Sequence, residues 1–194
     1  MKTSIMKIYV AAAVVAASIA AASCGGTKDV VKASGEQKIT VPCAGAAFRT
    51  DKDFFRGVGD ATSKSLSTAR DKARMIANTA LSGSITTTMK SVAERYVNDA
   101  GQSPADYSET FESMTKQVIN QQISNVGVAC EETTQANDGM FHVYMAVEAS
   151  KEEVFKALER SAGAEKKLET IFNREKFRKQ FDDEMAQFAK SQGY

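Results

Sequence analysis

The chain has no tryptophan, one histidine, two prolines and three cysteines in 194 residues. Each scarcity removes a class of function. Without Trp and with so little Pro, aromatic-lined grooves for sugars or proline motifs have poor support. A metal site takes three or four protein ligands, and His142 with two spare cysteines does not supply a convincing set. No apolar run is long enough to span a bilayer: the longest, Ile8 to Ala22, falls short of the roughly 20 residues a membrane core requires. An excess of one charge is also missing. The chain holds 25 basic and 24 acidic residues; losing residues 1–23 removes Lys2 and Lys7 and no acid, leaving 25 − 2 = 23 basic against 24 acidic. Nothing in that balance draws the protein to nucleic acid or to anionic lipid.

What is present begins at the N-terminus. Lys2 and Lys7 precede the apolar run, which ends in Ala21-Ala22-Ser23-Cys24. A positive start, a short apolar stretch and small residues before a cut form an export signal. The cysteine immediately after the cut supplies a thiol for acylation. Residues 1–23 are therefore read as a lipoprotein signal peptide and Cys24 as the lipid attachment point, against the alternative of a plain cleaved signal with a coincidental cysteine. Each buried methylene contributes about 0.8 kcal/mol, so two acyl chains anchor durably where one does not. Gly25 in place of an aspartate after the anchor favours the outer membrane. Its periplasmic or surface face is not legible.

With Cys24 assigned to lipid, Cys43 and Cys130 remain. In an exported protein two thiols either pair or are buried separately, and sequence does not give the distance between them.

Residues 24–45 read as a lipidated polar tether, aperiodic and bearing Gly and Lys, with order beginning near Val41-Pro42-Cys43. Residues 46–160 read as an α+β domain and 161–194 as a C-terminal helical segment. Phe54 to Gly59 is a strand candidate ended by Gly59. Ala69, Ala73, Ile76, Ala77, Ala80, Ile85, Met89, Val92 and Tyr96 then recur at steps of three and four, one face of a long helix. Ser65 or Ser67 can cap it, and Ser82-Gly83-Ser84 weakens or kinks it. A second helix carries Phe111, Met114, Val118, Ile119 and Ile123. Val126–Cys130 is a strand, Asn137-Asp138-Gly139 a hairpin turn, and 140–148 the return strand. Ser150 with Glu153 makes a capping box for a helix reaching about Arg160. The expected architecture is α+β: an antiparallel sheet of about three strands packed by long helices, plus a C-terminal helix.

No catalytic or cofactor-binding residue stands out. Gly57-Val58-Gly59 before a helix suggests a phosphate loop, but the third glycine, a following Gly-Lys-Ser/Thr and a strand–helix–strand repeat are all lacking. The plainer reading lets Gly59 turn the chain under the helix. His142 has no Cys, Ser or acid at a motif spacing and reads as a surface strand residue. Thr86-Thr87-Thr88 has no nucleophile elbow. Phe177, Phe181, Met185 and Phe188 form a stripe on the last helix. It is either core or a seam for another subunit or envelope protein.

The run Phe55-Arg56-Gly57-Val58-Gly59-Asp60-Ala61, the alanines Ala69, Ala73 and Ala77, and the return strand from Phe141 to Glu148 together resemble the Lpp-twenty lipoprotein family, in the form found in Bacteroides-type bacteria. The resemblance covers about residues 41–190. It implies the α+β fold, an envelope location and a scaffolding role, and it carries over no catalytic residues. The expectation is a non-enzymatic structural or interaction module without cofactor. Its partners are membrane lipid through Cys24 and an envelope protein or a second copy, with no nucleic acid. The alternative is a module binding a periplasmic ligand or peptidoglycan on the face around His142 and Tyr144.

Overall fold

The computed structural model describes residues 39–123 and 126–191. The signal segment, Cys24 and the tether up to residue 38 lie outside the described residues. From Val41 onward the chain forms one unit. Its elements are β1 (Phe54–Ser63), α1 (Leu66–Asp99), α2 (Pro104–Ile123), β2 (Gly127–Gln135), β3 (Phe141–Ser150), α3 (Lys151–Ala164) and α4 (Arg174–Ser191). The fold is α+β: three antiparallel strands in the order β1-β3-β2, with long helices and a C-terminal helix. β3 is central, so β1 and β2 are both edges.

β1 does not stop at Gly59 but pairs with β3 through Ser63. The two glycines answer to packing instead. A Cβ at Gly57 would sit 2.2 Å from the Ala77 carbonyl oxygen, and one at Gly59 2.5 Å from the Ala77 nitrogen. The backbone of α1 therefore lies directly on β1. Ala69, Ala73 and Ala77, all fully buried, keep the helix side of that contact equally thin. Ile76 and Ala80, expected in the buried stripe, are exposed instead. Ile76 precedes Ala77 by one residue, hence about 100° round the helix, which carries it off the sheet to the flank. Leu81 takes the inward place that the sequence reading missed.

α1 is continuous over 34 residues. Ser82, Ser84 and Thr86 hydroxyls donate to the carbonyls of Asn78, Ala80 and Ser82, one turn back. Their polar groups are thereby satisfied within the helix. Ser65 caps its start, accepting from the Thr68 amide at 3.4 Å. At α3 the expected capping box is not formed: the Ser150 side chain makes no cap bond. The Lys151 amide, a free donor at the helix start, is satisfied separately by the Asp53 carbonyl at 2.9 Å. At the hairpin Gly139 has φ 82°, and Asp138 Oδ1 accepts from the Met140 amide.

The aromatic core draws on every layer. Phe155 and Phe181 have ring centroids 5.4 Å apart, Tyr96 meets Phe177 edge-on at 5.3 Å, and Phe55 lies 6.3 Å from Phe181. Phe177, Phe181 and Met185 are fully buried and Phe188 is half-buried. The seam reading of that stripe therefore gives way to the core reading. α4 closes the same core as residues 46–160, so 161–191 pack as part of that domain. Cys43, placed in the tether by the sequence reading, is 4% exposed and belongs to the folded unit.

Candidate functional site

One face of the sheet receives the helices. The other is left to its own side chains. On β3 the alternation sends Phe141, Val143, Met145 and Val147 to the helices and His142, Tyr144, Ala146 and Glu148 to the opposite side. The register then sets the rows of that open face: Thr62, His142 and Thr134; Asp60, Tyr144 and Glu132; Val58, Ala146 and Cys130; Arg56, Glu148 and Gly127. A classical-looking strand pattern in sequence thus becomes a two-dimensional surface only when the ladders are known.

At one end of this face, His142 Nε2 lies 2.8 Å from Asp60 Oδ2, and its Nδ1 lies 3.0 Å from the Tyr144 hydroxyl. The two rings stack with centroids 4.1 Å apart at 28°. Asp60 is directly opposite Tyr144, so its bond to His142 runs diagonally across the strands. Both imidazole nitrogens are engaged, which holds the ring in place. Glu132 is the neighbour of Tyr144 on the far strand. A stacked aromatic pair flanked by two carboxylates suits a ligand with an apolar face and ammonium or hydroxyl groups.

At the other end the face is strapped. The Cys43 and Cys130 sulfurs are bonded, with Cα atoms 5.6 Å apart, and this ties the segment before β1 to the edge strand β2. Ala146, beside Cys130 in the register, is fully buried. Next to it Arg56 Nε donates to Glu148 Oε2 at 2.8 Å, and its Nη1 donates to Asp51 Oδ2 and to the Arg49 carbonyl. Partial burial disfavours the charge on Asp51. The bonds from Arg56 and from the Asp53 and Phe54 amides outweigh that and hold its pKa below the usual carboxylate value. The same arrangement raises Arg56: its own desolvation opposes the charge, but Asp51 and Glu148 more than offset it.

The sequence reading had no acid partner for His142 and no partner for Glu148. The register supplies both: Asp60 is 82 positions away and Arg56 is 92. The three atoms of Cys43, Cys130 and Glu132 converge within 4.8 Å, a spacing suited to a metal ion. Both sulfurs are spent in the disulfide, however, and offer no thiolate. A separate groove of about 420 Å³ lies between α1 and α2, floored by Met89, Ala93, Val97 and Phe111 and rimmed by Lys90 and Lys116. Among the described residues no helix is long and apolar enough to cross a membrane. No protein-family model, curated protein or solved structure matches the chain.

Proposed function

We propose that this chain is an envelope lipoprotein of the Lpp-twenty type, held on the outer membrane by lipid on Cys24, whose domain is a non-enzymatic interaction module. The observation that carries the reading is the open sheet face. Its one histidine has both ring nitrogens already occupied, by Asp60 and Tyr144, and among the described residues no serine, threonine or cysteine is bonded to it. Such a surface is built to be touched and not to turn over a substrate. The lipobox ending at Cys24, the alanine row of α1 and the glycine pair of β1 support the family assignment. The anchor is tested by fractionation: Cys24→Ser should move the protein from the outer-membrane to the soluble fraction. An unchanged membrane fraction would remove the anchor from the proposal.

A second reading has its own observation in the carboxylates Asp60 and Glu132 beside the His142–Tyr144 stack. That arrangement favours a polar envelope ligand such as peptidoglycan, with its ammonium and hydroxyl groups. Co-sedimentation with purified sacculi should then occur and should fall at least tenfold in a His142→Ala/Tyr144→Ala double variant. No sedimentation of the unaltered protein would eliminate this reading and leave the protein-partner reading in place.

A further inference from the structure

We propose that the outer edge of β1 is a docking site for an extended segment of another protein, which adds to the sheet as a fourth strand. The site is distinct from the open face, and the inference does not depend on that face having a ligand. In an antiparallel ladder, alternate residues of an edge strand turn their amide and carbonyl away from the neighbour. Near the start of β1 these outward groups have partners. The Phe54 amide donates to Asp51 Oδ1, the Arg56 amide donates to Thr50 Oγ1, and the Arg56 carbonyl accepts from the Thr50 and Ser84 hydroxyls. The same alternation turns the amides and carbonyls of Val58, Asp60 and Thr62 outward, and no hydrogen bond among the described residues reaches them. A free row of this kind is what natural edge strands usually protect.

The flank above the row says what fits there. Ser84 reaches the Arg56 carbonyl, so the helix row Lys72, Ile76, Ala80 and Ser84, spaced one turn apart, runs along this edge. The Ile76 Cβ lies directly over Gly59, 2.9 Å from where a Cβ at that position would stand. Ile76 is 44% exposed and Val58, on the other side of the strand, 38%. Lys72 is exposed and makes no ion pair among the described residues. A strand added about 4.8 Å from β1 would lie under this row. Its inward side chains would be apolar beneath Ile76 and Ala80 and acidic beneath Lys72, and its backbone would supply the missing bonds, the strand-addition mode of recognition.

The close seating of α1 also disfavours the symmetric alternative. In a continuous sheet made by β1 pairing with the β1 of a second copy, the two α1 helices would lie above strands about 4.8 Å apart. Packed helices need 8–10 Å. A bare segment without a helix of its own avoids that clash.

The test uses the full-length chain and a labelled nine-residue peptide of alternating Ile and Thr with one Glu, followed by fluorescence anisotropy. Saturable binding is expected. Methylating alternate backbone nitrogens of the peptide should weaken it at least tenfold, as should Ile76→Glu. Met75→Glu, altering an exposed residue off this row, should bind like the parent. Thermal melting checks that both variants remain folded. Equal binding by the methylated peptide, insensitivity to Ile76→Glu, or no saturable binding overturns the proposal. An oligomer that Ile76→Glu dissolves would assign the edge to a second copy and likewise overturn it.

Discussion

Changing Gly57 to alanine adds one methyl group, and the structure fixes where it goes. The new Cβ would stand 2.2 Å from the Ala77 oxygen, 2.3 Å from the Leu81 nitrogen and 2.9 Å from the Leu81 Cα. All three are backbone atoms, so no rotamer change relieves the contact and α1 itself must lift from β1. Overpacking of a core ordinarily costs about 1–3 kcal/mol, and more when backbone has to move. A loss of about 3 kcal/mol is therefore expected for Gly57→Ala. At about 2–4 °C per kcal/mol for a domain of this size, the melting temperature should fall by about 6–12 °C. Trimming the helix should not rescue it: Ala77→Gly removes a side chain that is not part of the clash and adds a flexible helix residue. The contrast is Gly83, in the same helix with nothing within 4 Å of its virtual Cβ. There Gly83→Ala should stabilise by up to about 1 kcal/mol, since it reduces unfolded-chain freedom without steric conflict. Urea unfolding followed by far-ultraviolet circular dichroism measures both. If Gly57→Ala shifts stability by less than about 0.5 kcal/mol, or Ala77→Gly restores it, the close backbone contact is not what requires the glycine.

Three further expectations follow from the packing and the charges. Phe177→Ala, at the centre of the aromatic cluster, should cost about 3–5 kcal/mol; a variant as stable as the parent would return α4 to the surface. Breaking the disulfide by Cys43→Ala/Cys130→Ala opens a link across a sequence separation of 87. Chain entropy then gives a loss of up to about 4–5 kcal/mol, readable as a lower urea midpoint, and an unchanged midpoint would mean that the bridge adds no stability. Asp51 has a folded-state pKa below its ordinary 3.8, so its contribution is full above that value and is lost as pH falls through the depressed one. Asp51→Asn should lower stability at pH 7 and flatten the decline below about pH 4; identical acid limbs in the two proteins would refute the linkage.

Much of the fold was legible because its signals are local. The alanines at steps of four in α1 and the alternation in β3 are periodic patterns within single elements, and Asn137-Asp138-Gly139 is a turn written in three residues. The misplacements arose where distant segments decide. Nothing near Gly59 in sequence shows that a helix backbone will press on it, so a packing glycine looked like a strand end. Ser150 followed by Glu153 has the letters of a capping box, but no side-chain cap bond forms there. The Lys151 amide at the start of that helix finds its partner in the Asp53 carbonyl, from another part of the chain. The aromatic stripe of α4 is the same pattern whether it faces a core or a partner, and only the position of Phe155 and Tyr96 distinguishes them. The His142 cluster was half visible. Tyr144 two residues on was a legible neighbour, whereas Asp60 comes from the register of β1 on β3, which residue spacing does not encode.

The bridge from Cys43 to Cys130 also sets the mechanics of the domain. A pull applied to the chain from the N-terminal side of residue 39 meets the sulfur link before it reaches β1. The load passes into β2, which is held to β3 by a ladder running from Gly127 to Gln135. Everything between the two cysteines, including β1, α1 and α2, is shunted out of the line of force. Without the link the same tug would pass first into β1 and so into the helix backbone seated on it. With it, tension arrives on the hairpin, and the contact between α1 and β1 stays unloaded.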